Sequence, residues 1–162
     1  MLNSTRLATL AIWFGAALFF SAVVAPAAFS VLRSFALPNA SEIAGGIVNR
    51  SLSVVNLSGF VVGLFLLGTL LLTRRSAGKI SFILETVCVV LIVLGTAVGH
   101  WVIAAKIRAI RAALSVPIDQ LPLDDARRIE FNSLHGYSVN ALGLAMIAAL
   151  VIMVLLSLRA RN

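Results

Sequence analysis

Two histidines are the residues best suited to chemistry in this sequence, and each lies in a long uncharged stretch: His100 in the third and His135 in the fourth. An imidazole changes its protonation near neutral pH, so it can move protons or ligate metals. Placing a polar side chain in lipid costs free energy, so a polar residue in a membrane-spanning helix is the first candidate for a functional role. His100 lies about 9 Å from Lys106 along a helix, and at that depth it needs a polar partner or water.

Other polar residues fall toward the same end of the predicted helices as the histidines. Asn49 and Arg50 immediately precede the second uncharged stretch, and Ser138 shares a helical face with His135. Side chains gathered at this end would form a polar pocket between helices, on the side of the first and third links. The residues predicted to bind a ligand are His100, His135, Ser138, Asn140, Asn49 and Arg50.

The two histidines are not expected to share a metal ion or a haem. Counting about 20 residues back from Leu158 places His135 at the lipid boundary, whereas His100 lies inside it. Their depths differ by roughly 10 Å, against about 2 Å for a metal–ligand bond. The sequence also holds no phosphate-binding glycine loop, no H-E-x-x-H and no G-x-S-x-G motif. We therefore predict no cofactor and no metal site.

The elements that must position these residues are four uncharged stretches, at residues 7–32, 51–73, 86–105 and 131–158. About 20 apolar residues in a helix cross the roughly 30 Å of hydrocarbon in a bilayer. The chain is 60% hydrophobic and 12% charged, about half the charged share of a soluble domain. This pattern predicts an all-α integral membrane four-helix bundle, a single domain over residues 1–162. The predicted helices cover about residues 5–37, 47–73, 79–114 and 124–159, with helices 3 and 4 extended beyond the bilayer.

The first stretch is predicted to be a retained span rather than a cleaved signal peptide. Its apolar run is longer than the roughly 7–15 residues of a signal-peptide core. Pro26 lies within this run, and a proline in a helix interior predicts a kink. Before the last span, Asp124 is the predicted N-cap of helix 4.

Two features of helix 3 predict how it packs. Gly95 and Gly99 form a G-x-x-x-G pattern, which allows close approach of another helix. Glu85 lies near the opposite membrane face from the histidines, and we expect it to pair with Lys79 or Arg75 at the interface.

The formal net charge of +7 comes from basic residues that flank the apolar stretches. Such residues usually anchor spans at the interface with their charged ends in water, so no nucleic-acid partner is expected. The basic second link, residues 74–79, favours both termini in the cytoplasm. We predict a multi-pass protein of the bacterial inner membrane, whose partner is the lipid bilayer. Self-association and a membrane-complex partner stay open.

The start of the fourth predicted helix reads F-N-S-L-H-G-Y-S-V-N at residues 131–140. The pattern F-x-x-x-H-G-x-S, with an asparagine two residues later, resembles the transmembrane protein 205-like family and its bacterial relatives. The first span is similar too, with W-F-G at residues 13–15 and A-P-A-A-F at residues 25–29. The resemblance implies a four-span membrane protein without an agreed activity. Any site shared by that family would match Phe131, His135, Gly136, Ser138 and Asn140.

Two interpretations of function follow from these observations. The first is a non-enzymatic membrane protein that binds a small molecule, or serves as a transport accessory or assembly factor, through a polar interhelical pocket near one membrane face. The alternative is a small membrane enzyme that resembles the anthrone-oxygenase-like membrane family and uses the buried His100 as a base. A haem-binding or metal-binding bundle is a further variant of this alternative.

Overall fold

The computed structural model describes residues 2–37, 39–73 and 78–159, and these residues form helices and no strand. Four helices are long and apolar enough to cross a membrane. They are α1 at Leu2–Ser34, α2 at Ala40–Thr73, α3 at Lys79–Ala112 and α4 at Ala126–Arg159. The prediction of an all-α four-helix membrane bundle is confirmed.

All four helices are longer than the hydrocarbon core of a bilayer. Each has 33 or 34 residues, which is about 50 Å of helix against roughly 30 Å of hydrocarbon. The predicted extension of helices 3 and 4 is therefore shared by α1 and α2. Hydropathy marks the part of a helix that lies in lipid, so it misses the polar first turns of α2. That helix begins at Ala40 rather than near residue 47.

The ends of the other helices also differ from the predicted bounds. α1 ends at Ser34, and Ala36 then takes a left-handed backbone conformation with φ 51°. Pro38, which follows the predicted end of this helix at residue 37, lies outside the described residues. The N-cap of α4 is Asp125 rather than Asp124, because Asp125 Oδ1 accepts a hydrogen bond from the backbone N–H of Arg127 at 2.9 Å.

The helices form an antiparallel bundle in which each packs against its neighbours in the chain and α4 closes back onto α1. The core between them is apolar and includes Leu10, Trp13, Ile92 and Ile152. Large apolar side chains on the outside are exposed, as with Ile12 and Leu72. An exposed apolar surface of this kind is suited to lipid, since backbone groups are satisfied within each helix.

Two π-helical turns interrupt the regular helices, at Phe20–Val24 in α1 and at Val98–Ile103 in α3. The first ends two residues before Pro26, which has no N–H to donate. Beyond this turn, α1 packs mainly on α2, whereas the preceding segment Leu2–Phe19 packs on both α2 and α4. α1 and α4 therefore separate at the end of the bundle that carries the first and third links.

The two glycines of the G-x-x-x-G pattern contact different helices. A β-carbon at Gly95 would lie 3.2 Å from the carbonyl oxygen of Ala141 in α4, and one at Gly99 would lie 2.7 Å from the amide nitrogen of Asn56 in α2. The pattern thus lets α3 approach both of its neighbours.

A buried cluster of charges joins three helices at the opposite end of the bundle. The carboxylate of Glu85 forms ion pairs with Arg6 of α1 and with Arg159 of α4, the second at 2.6 Å. Arg159 also donates to the hydroxyl of Ser81 at 2.6 Å. The expectation that Glu85 pairs with Lys79 is wrong, and Arg75 lies outside the described residues. Glu85 instead links α1, α3 and α4.

Candidate functional site

A cavity of about 680 Å³ occupies the space where α1 separates from α4. Its walls are one face each of α1, α2 and α4, and the end of α3 and residues 118–119 of the third link complete it. Pockets that hold small molecules typically measure about 300–1,000 Å³ and are mostly apolar with a few polar groups. This cavity has the size and the mixed lining of such a pocket.

The deep end of the cavity is mostly apolar, although Ser21 also lines it. Phe20 and Pro26 of α1 face Leu142 and Met146 of α4, and Leu52 of α2 lies on the same wall. The lining residues of α4 continue from Met146 out to Arg128, which is about 27 Å of helix. The cavity is therefore long and runs along the bundle axis.

The outer end of the cavity is basic, because Arg33, Arg111 and Arg128 all line it. Arg33 is exposed and stacks on the ring of Phe29, with its guanidinium carbon 5.9 Å from the ring centre. Arg128 donates hydrogen bonds to the backbone carbonyls of Asp119 and Leu121, which holds the third link against α4. These arginines come from three different helices and meet at one opening.

Arg111 is largely enclosed, with 15% of its side chain exposed. Its guanidinium packs where a side chain of residue 45 would lie, so Gly45 of α2 makes the approach possible. It lies 3.7 Å from the carboxylate of Glu42 and 5.3 Å from the ring centre of Phe131. Its Nε is buried and has no hydrogen-bond partner among the described residues.

The charges at the start of α4 fix the position of this helix end. Arg127 binds Asp125 with both carboxylate oxygens engaged, at 3.0 and 2.7 Å. The hydrogen bonds from the Arg127 side chain and backbone lower the pKa of Asp125 to about 2. Asp125 is therefore a permanent anion near neutral pH, and it is already paired.

Three of the six predicted ligand-binding residues line the cavity, namely Asn49, His135 and Ser138. Ser138 is buried in the wall, whereas His135 is exposed at the outer half. Arg50 and Asn140 are exposed and lie off the wall. Asn140 follows Ser138 by two residues, which turns it about 200° around the helix and away from the cavity.

His100 lies outside the cavity wall and faces α2. Its Nδ1 is 3.0 Å from both the hydroxyl and the carbonyl oxygen of Ser53. Its ring also contacts Trp101 edge-on at 4.7 Å between centres. Because a carbonyl only accepts, the proton on Nδ1 would be donated toward Ser53. This is a contact between α2 and α3, and it places His100 apart from His135.

The sequence analysis missed Arg33, Arg111 and Arg128, the three cations that share the opening. We interpreted basic residues near span ends as interfacial anchors. Their sequence positions alone do not distinguish an anchor from a residue that lines a cavity opening. Arg33 falls in the same helical stripe as Ala25 and Phe29, which was the one available signal. Among the described residues, no group of three or more His, Cys, Asp or Glu side chains could hold a metal ion.

Comparison with known proteins gives a family but no activity. No match was found among curated proteins or among solved structures. The model of the family described as "Domain of unknown function (DUF4149)" matches residues 8–115, from α1 to the start of the third link. The match ends before residues 131–140, so the resemblance to the transmembrane protein 205-like family stays a prediction. Since two thirds of the sequence is matched, the chain belongs to this DUF4149 family, and it is a multi-pass membrane member of it.

Proposed function

We propose that this protein is a non-enzymatic membrane protein that binds a small molecule in the cavity between α1, α2 and α4. The observation that carries the proposal is the cavity itself: about 680 Å³, apolar at depth and polar at its outer end. Packed helices seldom leave so much space, because each void forfeits contacts between its lining atoms. A ligand in this space would restore those contacts.

Binding is favoured over catalysis by the positions of the histidines. A general base must lie within hydrogen-bond reach of its substrate, and His100 faces Ser53 instead of the cavity. His135 does line the cavity, but no described carboxylate hydrogen-bonds to it to orient its ring. The cavity thus offers polar contacts for recognition without a paired acid and base.

Such a protein would hold its ligand for a membrane partner, as a transport accessory or an assembly factor. Four helices are few for an alternating-access transporter, whose fold usually contains internal repeats. With both termini in the cytoplasm, as the basic second link indicates, the cavity would open at the outer face of the inner membrane.

Two glycines of α4 provide a test of the cavity. Gly143 lies on the cavity wall and Gly136 does not, and an added β-carbon at either would meet no atom within 4 Å. Gly143→Phe should place a phenyl ring inside the cavity and obstruct it, while Gly136→Phe adds the same side chain to the same helix outside it. The full chain would be incubated with a polar lipid extract of bacterial membranes and measured by native mass spectrometry in detergent.

We expect wild type and Gly136→Phe to retain one bound small molecule and Gly143→Phe to lose it. Thermal unfolding of each variant would be measured in parallel, to ensure that the loss reflects occupancy of the cavity. Equal retention by wild type and Gly143→Phe, or no retention by wild type, would overturn the proposal.

A further inference from the structure

We propose that the ligand is an acidic amphiphile, with a phosphate or carboxylate headgroup on a single apolar chain. This inference rests on the proposed function and adds the chemical class of the ligand. The headgroup would lie among Arg33, Arg111 and Arg128, and the chain would extend along the apolar wall toward Met146.

The charges at the opening favour an anion. Three arginines line it, against Asp119 as the acid on the same wall. Among the described residues, no carboxylate lies within 4.0 Å of the guanidinium groups of Arg33 and Arg128. Nη1 of Arg111 lies 3.7 Å from the Glu42 carboxylate and donates to the Glu42 carbonyl oxygen at 3.4 Å, whereas its Nε is buried and has no hydrogen-bond partner among the described residues. The opening therefore holds guanidinium donors that are still available to an acidic group.

Arginine side chains suit phosphate and carboxylate in particular. The planar guanidinium presents paired N–H donors that match the spacing of two acid oxygens. These hydrogen bonds involve ions on both sides, and they are about twice as strong as neutral ones. His135 and Asn132 line the same outer half and add further hydrogen-bond donors.

The shape and lining of the rest of the cavity favour a single chain. The wall continues inward as Phe29, Val48, Leu142 and Met146, which offer no hydrogen bonds to a polar molecule. The volume of 680 Å³ corresponds to about 20 groups of the size of a water molecule, at roughly 30 Å³ each. One chain of moderate length with its headgroup fits within this volume, whereas a two-chain phospholipid would extend beyond it.

Four probes separate the headgroup from the chain: hexadecyl phosphate, hexadecanol, hexadecyltrimethylammonium and inorganic phosphate. Binding of each to the full chain would be measured by isothermal titration in neutral detergent. We expect hexadecyl phosphate to bind at least about tenfold more tightly than hexadecanol, since each hydrogen bond to a charged group contributes about a tenfold factor or more. The cationic probe and inorganic phosphate should bind more weakly than hexadecyl phosphate.

Variants of the arginines locate the headgroup. Arg33→Gln and Arg111→Gln should each weaken hexadecyl phosphate binding about tenfold and leave hexadecanol binding nearly unchanged. Arg108→Gln is the matched control, because it removes the same charge from the same helix as Arg111 at an exposed position off the wall. Since Arg33 is exposed, its variant should retain the fold even if Arg111→Gln does not.

The outcomes distinguish this inference from the proposed function. Equal binding of hexadecyl phosphate and hexadecanol, or an equal loss in Arg108→Gln and Arg33→Gln, overturns the acidic ligand but leaves the cavity as a binding site. Inorganic phosphate bound as tightly as hexadecyl phosphate also overturns it, in favour of a free anion. If Gly143→Phe changes the binding of none of the probes, the cavity proposal fails as well.

Discussion

The carboxylate of Glu85 in α3 forms an ion pair with the guanidinium of Arg6 in α1, and both side chains are fully excluded from solvent. Within the described residues, Nε and Nη1 of Arg6 have no hydrogen-bond acceptor. Arg159 approaches the second carboxylate oxygen from α4 at 2.6 Å. The carboxylate of Glu85 thus neutralises two cations at the end of the bundle opposite the cavity. Its removal would leave the buried Arg6 without a counter-charge.

Glu85→Gln should strongly destabilise the protein. Breaking a buried ion pair by removing one partner costs about 3–5 kcal/mol, because the other charge stays buried and unpaired. Glu42→Gln is the control, since its pair with Arg111 is longer, at 3.7 Å, and partly exposed. That substitution should change stability by no more than about 1 kcal/mol. Thermal unfolding in detergent measures the stability of both variants. Equal losses of stability would contradict the importance assigned to the buried pair of Glu85 with Arg6.

The same cluster should tolerate complete replacement better than partial removal. Replacing a buried ion pair by apolar side chains of similar volume is often neutral or stabilising by about 1–4 kcal/mol. The double variant Arg6→Met, Glu85→Leu should therefore be more stable than Glu85→Gln alone. Arg159 keeps its hydrogen bond to Ser81 and is 21% exposed, so it retains partial solvation. A double variant as unstable as the single one would mean that the pair is needed for assembly of the bundle.

Gly59 allows α1 to dock against α2 through Trp13. The Trp13 indole donates a hydrogen bond to the carbonyl oxygen of Val55 at 3.0 Å, and a β-carbon at Gly59 would lie 2.7 Å from the indole ring. Gly59→Ala should displace the ring and cost about 1–3 kcal/mol. Gly68→Ala, in the same helix, adds a methyl group that meets no atom within 4 Å. It should be neutral or slightly stabilising in the same unfolding measurement.

The four spans could be predicted because hydropathy and length are local properties of a sequence. The partners of the polar side chains could not, because they depend on which helix faces touch. Glu85 has a lysine six residues away, yet it pairs with Arg6, which is 79 residues distant. Arg111 likewise contacts Gly45 of α2 only because the ends of α2 and α3 that extend beyond the apolar spans meet there.

His100 shows a second limit of sequence reasoning. A regular helix turns about 100° per residue, and any assignment of residues to helix faces from sequence assumes this periodicity. The π-helical turn at Val98–Ile103 includes His100 and contains an extra residue per turn, which shifts the faces that follow it. Regular helical periodicity therefore does not predict the contact of His100 with Ser53 of α2.

The low pKa of Asp125 predicts a pH dependence at the start of α4. Folding lowers this pKa from 3.8 to about 2 through the bonds from Arg127. The contribution of the Asp125 carboxylate to folding stability is therefore fully present above about pH 4 and is lost as the pH falls through about 2. Asp125→Asn keeps a capping side chain but lacks the charge. The difference in unfolding temperature between wild type and this variant should be constant near neutral pH and vanish near pH 2. A difference that persists unchanged at pH 2 would contradict the role assigned to the Asp125 charge.

The two histidines should have opposite effects on stability and on binding. His100 joins α3 to α2 outside the cavity, so His100→Ala should lower the free energy of unfolding by about 1–3 kcal/mol through its lost hydrogen bonds. Hexadecyl phosphate binding should persist in that variant once it is measured below its unfolding temperature. His135 is exposed on the cavity wall, so His135→Ala should leave stability nearly unchanged. It should weaken hexadecyl phosphate binding about tenfold, the effect of one hydrogen bond to a charged group. If binding depends on His100 and not on His135, the ligand lies between α2 and α3 and the cavity at α4 has another role.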